Sequence, residues 1–147
     1  MAGYSGTPLP KKLGIKPGHR AALLNAPDGF RQTLGELPEP VELLPESRSG
    51  PALDVIVFFT TELSDLKKRF NAIARRLSPA GGFWIAWPKK ASGVATDLTE
   101  DIIRAVGLGA GLVDNKVCAI DDVWSGLRLV FRLRDRPGVA QRLPRGS

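Results

Sequence analysis

The chain has 147 residues, of which 43% are hydrophobic and 24% are charged. This length predicts a single domain, and the hydrophobic content is sufficient for a buried core. One cysteine, Cys118, and one histidine, His19, exclude an internal disulfide framework and a multi-cysteine zinc site, and we expect no metal site. Apolar runs are shorter than a membrane span and the N-terminus has no signal-peptide pattern, so we expect a cytoplasmic protein that does not enter a membrane.

Positive charge is concentrated at the C-terminal end of the chain. The net charge is +6, and residues 128–147, with six arginines and one aspartate, carry +5 of it. A basic tail of this kind can bind nucleic acid or an acidic partner. Because chain termini are commonly disordered, we favour a solvated, disordered tail over residues 135–147.

The N-terminal third predicts an arm followed by the first strands. Residues 1–18 are rich in glycine, proline and lysine and predict an extended arm with a short helical turn near Pro10 to Leu13. An apolar run predicts a first strand over Arg20–Asn25, at the start of a single α/β domain over residues 19–134. The next predicted elements are a short helix over Phe30–Leu34, a brief strand over Pro40–Leu44 and a loop over Pro45–Pro51.

The centre of the chain predicts a strand–helix–strand unit. Asp54–Phe59 is almost entirely β-branched and aromatic, as in a strand that is covered on both faces. The helix predicted over Thr61–Leu77 has apolar residues at three- and four-residue spacing, and Thr61 is its predicted N-cap. Ser78–Gly82 predicts a turn into a strand over Phe83–Trp87. Such a unit belongs to a parallel sheet.

The C-terminal part completes the predicted fold. Its elements are, in order, a loop over Lys89–Ala95, a helix capped by Thr96 or Asp97 that reaches about Leu108, and two strands over Val113–Ile120 and Leu127–Leu133. A turn at Trp124–Gly126 would make these two strands an antiparallel hairpin. The whole order predicts an α/β fold with an open, doubly wound, mostly parallel sheet and a C-terminal antiparallel hairpin.

Several segments resemble the class I, Rossmann-like methyltransferases. Arg76–Ile85 is similar to the Leu-x-Pro-Gly-Gly turn before their fifth strand, and Leu13–Arg20 is similar to the entry to their first strand. The resemblance extends over about Leu13–Leu133 and implies a reduced form of that fold. More narrowly, Tyr4–Leu9 with Lys11–Gly14 resembles domain-of-unknown-function family 3052, a group of small bacterial proteins, which implies a fold but no activity.

The loop after the first strand departs from the methyltransferase pattern. Those proteins have a Gly-x-Gly-x-Gly-type loop there, which lets the backbone approach S-adenosylmethionine, whereas this chain has Asn25–Phe30 with Gly29 as its single glycine. Pro27 removes a backbone donor. The nearest counterpart of their ribose-binding acid is Glu46, which lies beyond the second strand. The short stretch before Asp54 predicts that one strand–helix pair is missing.

Open α/β sheets bind their ligands at the carboxyl ends of the strands, near the switch point. By this rule the candidate cofactor-binding residues are Asn25, Asp28, Gly29, Thr60, Thr61, Trp87, Lys89 and Lys90. The two lysines could bind a phosphate or carboxylate, although solvated surface lysines are common. We predict no catalytic residue, because His19 lies at the opposite end of the sheet and Cys118 lies inside an apolar strand.

Three functions follow from this pattern. The degraded loop favours a non-catalytic binding or regulatory module without a cofactor, which binds a protein partner or an acidic ligand. The alternative is a reduced S-adenosylmethionine-dependent methyltransferase with an atypical cofactor loop. Nucleic-acid binding through the basic tail ranks last, because the tail has no interleaved aromatic residues for base stacking.

Overall fold

A mixed sheet forms the centre of the molecule. The computed structural model describes residues 6–45 and 50–142, except the side chain of Arg142. Six strands lie in this part of the chain: β1 (Arg20–Leu24), β2 (Glu42–Leu44), β3 (Leu53–Phe59), β4 (Leu77–Pro88), β5 (Leu112–Ala119) and β6 (Trp124–Phe131).

Five α-helices lie in the same described ranges: α1 (Leu9–Leu13), α2 (Phe30–Leu34), α3 (Leu63–Ala74), α4 (Glu100–Gly109) and α5 (Arg136–Arg142). Short 3₁₀ turns occupy Lys90–Ser92 and Leu133–Asp135. The predicted order of strands and helices from β1 to β6 is confirmed.

The sheet is open and doubly wound, as predicted. Its strand order is β2-β1-β3-β4-β6-β5, and the first four strands in this order are parallel to one another. β6 runs antiparallel to both β4 and β5, so the C-terminal hairpin is confirmed. From β1 the chain moves outward to β2 and then returns to the other side of β1 as β3. The switch point therefore lies between the carboxyl ends of β1 and β3.

Two hydrophobic layers cover the sheet, because successive strand residues point to opposite faces. On β4, Phe83, Ile85 and Trp87 pack on the face covered by α3 and α4, which we call the α3/α4 face. Trp84 and Ala86 pack on the other face, with α1 and α2, which we call the α1/α2 face. Continuous apolar sequence in β3 and β4 reflects this burial from both sides.

The N-terminal segment is part of the α1/α2 face. The helical turn predicted near Pro10 to Leu13 is present as α1. Leu13 and Ile15 are buried, and the Leu13 carbonyl accepts a hydrogen bond from Trp84 Nε1 at 3.0 Å. From residue 6 onward, the segment therefore packs against the sheet, while residues 1–5 lie outside the described ranges.

The predicted turn before the fourth strand is wrong, since β4 already begins at Leu77. Its pairing with β3 shifts register between Leu53 and Val55, which accommodates the extra residues of β4. A Cβ at Gly81 would lie 2.8 Å from the Asp54 carbonyl oxygen. Gly81 is therefore explained by the close approach of two strands rather than by a turn.

The hairpin turn also lies elsewhere than predicted. Trp124, the first residue of the predicted turn, already belongs to β6. The turn precedes it, where Asp121 Oδ1 accepts hydrogen bonds from the amides of Val123 at 2.9 Å and Trp124 at 2.8 Å. An aspartate that bonds to the backbone two residues later favours a turn, and this local preference decides the position.

The predicted disordered tail is wrong for the part that the structure describes. Residues 136–142 form α5, and Val139 on this helix is buried. Arg136 Nε also donates a hydrogen bond to the Phe131 carbonyl at 3.2 Å. Residues 143–147 of the predicted tail lie outside the described ranges.

Candidate ligand-binding cleft

A cleft of about 290 Å³ lies at the carboxyl ends of β1 and β3. Its lining consists of Asn25, Thr60, Thr61, Glu62, Asp65 and Trp124. Three of these residues, Asn25, Thr60 and Thr61, are among the cofactor-binding candidates from the sequence. The cleft is at the switch point of the sheet, the position at which doubly wound folds bind their ligands.

Asn25 forms one wall of the cleft and joins the two strands. Its backbone has φ 57°, in the left-handed region that asparagine tolerates better than most residues. The side-chain Nδ2 donates a hydrogen bond to the Phe59 carbonyl at 2.8 Å. This bond fastens the start of the β1–α2 loop to the end of β3. Within the described ranges the amide oxygen Oδ1 accepts no hydrogen bond, so it can serve as an acceptor for a ligand.

Thr60 forms the floor of the cleft and fixes a carboxylate beside it. The residue is 2% exposed, and its amide donates a hydrogen bond to the Ala86 carbonyl at 3.0 Å. Its hydroxyl donates to Asp65 Oδ2 at 2.9 Å and accepts from the Glu62 amide at 3.3 Å. These bonds hold the first turn of α3 against the end of the sheet.

The predicted helix caps around the cleft are wrong. The first amide of α3, that of Leu63, donates to Asp97 Oδ1 at 2.8 Å, and the N-cap residue is Glu62 rather than Thr61. The Thr61 carbonyl instead accepts a hydrogen bond from Thr96 Oγ1 at 2.6 Å. Thr96 and Asp97 thus fasten their loop to α3, and the N-cap of α4 is Thr99, whose Oγ1 accepts from the Ile102 amide at 3.2 Å.

The cleft carries negative charge. Glu62 is exposed, and in the described ranges its carboxylate accepts no hydrogen bond and forms no ion pair. Asp65 is half-buried, with one oxygen bonded to Thr60. The ionisable side chains that line the cleft are these two carboxylates. A ligand that carries positive charge near this edge is therefore favoured by attraction between opposite charges.

Sequence reasoning missed Glu62, Asp65 and Trp124. The two acids follow β3 within a few residues, and that proximity to a strand end is a signal that could have identified them. Trp124 reaches the cleft only because the hairpin turn ends before it. Its ring lies edge-on to that of Phe59, with centroids 5.1 Å apart. No local sequence signal predicts this contact.

Asp28 and Gly29 do not line the described cleft. Both are exposed, and Gly29 has φ 80° at the start of α2. The Gly29 carbonyl accepts a hydrogen bond from the Thr33 amide at 3.2 Å within that helix. Their geometry is that of a turn that begins a helix.

Trp87, Lys89 and Lys90 also lie outside the cleft lining. Trp87 is 8% exposed and packs in the core of the α3/α4 face. The Lys89 amide donates to the Val123 carbonyl at 2.7 Å, which ties the end of β4 to the hairpin turn. Lys90 is exposed at the start of a 3₁₀ turn. None of these three residues therefore lines the cleft together with Asn25.

The opposite end of the sheet has a groove of about 510 Å³, lined by Gly18, His19, Arg20, Pro40, Val41, Glu42 and Asp54. His19 Nδ1 accepts a hydrogen bond from the Lys16 amide at 3.1 Å, so this imidazole has a local structural role. The groove lies at the amino ends of the parallel strands, away from the switch point.

Cys118 is half-buried on β5. Burial raises the pKa of its thiol, and the positive charges of Lys12 and Lys116 partly offset this shift. A raised pKa keeps the thiol protonated at neutral pH and lowers its reactivity.

The fold is similar to solved S-adenosylmethionine-dependent methyltransferases. A SAM-dependent methyltransferase from Aquifex aeolicus has a TM-score of 0.57 at 17% identity, over 81% of this chain and 85% of that chain. Fibrillarin from Aeropyrum pernix, solved with natively bound S-adenosyl-L-methionine, has a TM-score of 0.52 at 14% identity, over 87% and 70%. A TehB-like SAM-dependent methyltransferase from Corynebacterium glutamicum has 0.51 at 11%, over 79% and 82%.

At these identities the likeness shows the fold alone. It confirms the methyltransferase-like architecture that the sequence resemblance implies. No protein-family model and no curated protein matches the sequence. Membership of family 3052 therefore stays a prediction. Among the described residues, no helix has both the length and the apolar character needed to cross a membrane.

Proposed function

We propose that the chain is a reduced S-adenosylmethionine-dependent methyltransferase whose cofactor binds in the cleft between β1 and β3. One observation carries the proposal: an acidic cleft, with Glu62 unpartnered among the described residues, lies at the switch point of a methyltransferase-type sheet. The solved methyltransferases with the same architecture support it.

The lining residues fit this cofactor. S-adenosylmethionine carries a positive sulfonium, a positive ammonium and one carboxylate, for a net charge of about +1 at neutral pH. The carboxylates of Glu62 and Asp65 complement its two positive groups. Asn25 Oδ1 can accept a hydrogen bond from a ribose hydroxyl or the ammonium. The cleft volume, about 290 Å³, is near the lower end of the usual range for ligand sites, about 300 to 1,000 Å³. It therefore fits a ligand that is only partly enclosed.

When bound, S-adenosylmethionine supplies a methyl group that is activated by the positive sulfur. The residues of the chain hold and orient the reactants. Thr60 fixes the Asp65 carboxylate in place, so this negative charge needs no rearrangement on binding. Glu62 and Asp65 are also the groups in the lining that could accept a proton from a methyl acceptor.

A non-catalytic binding module is the second candidate, and the loop after β1 favours it. Pro27 offers no amide to a ligand, although its carbonyl accepts from the Phe30 amide at 3.1 Å. In the described sheet, β2 is the single strand beyond β1. The wall of the cleft on that side is therefore short. This candidate predicts a protein partner and no binding of S-adenosylmethionine.

Calorimetric titration of the purified chain with S-adenosylmethionine and S-adenosylhomocysteine tests the proposal. We expect saturable binding of both, and tighter binding of S-adenosylmethionine, because S-adenosylhomocysteine lacks the positive sulfur that the acidic cleft favours. A flat trace with both ligands at high protein concentration would reject the methyltransferase proposal and support the non-catalytic module.

Two variants locate the site. Glu62→Gln removes a negative charge from the cleft, and Glu42→Gln removes one from the groove at the other end of the sheet. We expect only Glu62→Gln to weaken S-adenosylmethionine binding, and to weaken S-adenosylhomocysteine binding less. Equal effects of the two variants would place the cofactor elsewhere.

A further inference from the structure

A row of cations lies on the α1/α2 face of the outer strands. In the sheet register Trp84 of β4 pairs with Arg128 of β6, and Arg128 pairs with Lys116 of β5. These three side chains therefore point to the same face. On the inner strand this face carries a buried tryptophan, whereas on the two outer strands it carries charged residues.

Lys12 of α1 extends the row. Its Nζ donates to the Ala119 carbonyl at 2.8 Å, and Lys116 Nζ donates to the Lys12 carbonyl at 3.1 Å. We call Lys12, Lys116 and Arg128 the cationic strip. Backbone carbonyls hold both ammonium groups, and no member forms an ion pair within residues 6–45 and 50–142. Because an ammonium has three donors, each lysine can still bind an anion.

Arg128 is built into the sheet rather than extended into solvent. It is half-buried, and a Cβ at Gly82 would lie 2.7 Å from its guanidinium carbon. Glycine at position 82 therefore lets the guanidinium lie against the β4 backbone. Burial, and then the positive charge of Arg136, lower the pKa of Arg128. An anion bound there would favour the charged guanidinium and so offset both effects.

The strip leads towards the cleft. Cys118 lies two residues beyond Lys116 on β5, and the positive charges of both Lys12 and Lys116 act on its thiol, while Lys12 Nζ reaches the Ala119 carbonyl at the end of that strand. The backbone of Trp124, which lines the cleft, is four residues from that of Arg128 along β6, or about 13 Å at the rise of a strand, and the Arg128 guanidinium extends the strip the other way, towards Gly82. Proteins that bind single-stranded nucleic acids commonly combine cations along the backbone path with an aromatic ring for stacking.

We propose that the cationic strip binds the phosphate backbone of a single-stranded nucleic acid and directs one base towards Trp124. Trp124 offers a ring for stacking, and only an unpaired base is free to stack on it, which favours a single strand over a duplex. The aromatic end of the strip favours nucleic acid over an acidic protein segment. Binding of nucleic acid by the strip needs no cofactor. Only the further step, in which the nucleic acid is the methyl acceptor, rests on the proposed methyltransferase function.

Fluorescence anisotropy with a labelled single-stranded RNA of about 16 nucleotides, without S-adenosylmethionine, tests the proposal. For a strip of three cations, we expect log K to fall with log salt concentration with a slope of about −2. Lys116→Gln with Arg128→Gln should make this slope less negative by about 1.4. Lys116→Gln alone should make the slope less negative by about 0.7. Because Lys116 is exposed, this single variant can replace the double variant if the latter does not fold.

Lys67→Gln with Lys68→Gln is the matched control. It removes the same charge from the exposed side of α3, on the other face of the sheet. We expect it to leave the slope nearly unchanged. If the control variant changes the slope as much as the strip variant does, the RNA responds to net charge only, and the proposal is overturned. The proposal is also overturned if the unaltered chain does not bind RNA.

Two further ligands separate the remaining outcomes. A duplex of the same sequence should bind more weakly, and an acidic peptide should not compete with RNA. Competition by the peptide that depends on Lys116 and Arg128 would assign the strip to a protein partner and reject the nucleic-acid proposal. RNA binding that persists when S-adenosylmethionine gives a flat calorimetric trace would uphold the strip and reject only the proposed enzyme.

Discussion

The two ends of the sheet differ in what their polar groups do. At the amino end, Asp54 Oδ2 accepts from the Arg20 amide at 2.8 Å and Asp54 Oδ1 accepts from Ser78 Oγ at 3.3 Å. Arg20 Nε also forms an ion pair with Glu42 at 3.4 Å. At the carboxyl end, the Glu62 carboxylate has no partner in the described ranges. The larger groove is at the amino end, yet the smaller cleft has the group that remains available for a ligand.

Among the described residues, the larger of these two spaces is therefore not the one with an unpartnered charged group. At the amino end, the charged side chains join β1 to β2 and β3. At the carboxyl end, the Asp65 carboxylate is bonded to Thr60, whereas the Glu62 carboxylate has no partner in the described ranges. Variants at the two ends, and in the core between them, should therefore separate effects on stability from effects on binding.

The largest expected change in unfolding free energy comes from the hydrophobic core, which lies between the two ends of the sheet. Trp84→Ala removes a fully buried ring and its hydrogen bond to the Leu13 carbonyl, and should cost about 3–5 kcal/mol of unfolding free energy. Chemical denaturation measures it. Trp124→Ala is the matched change at a half-buried position and should cost clearly less. Equal losses would mean that Trp124 is a core residue rather than a cleft residue.

At the amino end, Asp54→Ala should lower the unfolding free energy by about 1–3 kcal/mol, because it leaves the Arg20 amide without its acceptor. Asp54→Asn retains an acceptor oxygen and should cost less. Affinity for S-adenosylmethionine, measured by calorimetry, should stay unchanged in both variants if this end is purely structural. A fall in affinity without a change in stability would contradict the comparison.

At the carboxyl end, Asn25→Ala should lower the unfolding free energy by about 1–2 kcal/mol, because it removes the bond to Phe59 and places alanine at φ 57°. Asn25→Gly removes the bond but tolerates this backbone, so it should be the more stable variant. Both should bind S-adenosylmethionine more weakly. Wild-type affinity in both would remove Asn25 from the site.

The smallest effect on stability is expected for Glu62→Gln, since the exposed carboxylate has no described partner to lose. The melting temperature should stay close to that of the wild type. Affinity for S-adenosylmethionine should nevertheless fall about tenfold, as for loss of a hydrogen bond to a charged group. An unchanged affinity would reject the role of Glu62 in the cleft.

Part of the cleft lining could be placed at one edge of the sheet from the sequence. Thr60 and Asn25 follow apolar runs, and such runs end where strands end, so both residues could be placed at the switch edge. Trp87 also ends an apolar run, but alternation along β4 turns its ring towards α3 and α4. Trp124 could not be placed, because its position depends on which residues form the hairpin turn.

The sequence by itself determined the order of strands and helices, since hydrophobic runs and helical spacing are local properties of the chain. It also identified the basic character of the C-terminal end. Only the tertiary structure decided that Glu62 stays open while Asp65 is held by Thr60, and that Arg128 lies beside Lys116 and Lys12. Strand register and close backbone approach bring together residues that are far apart in the chain, and no local pattern records those distances.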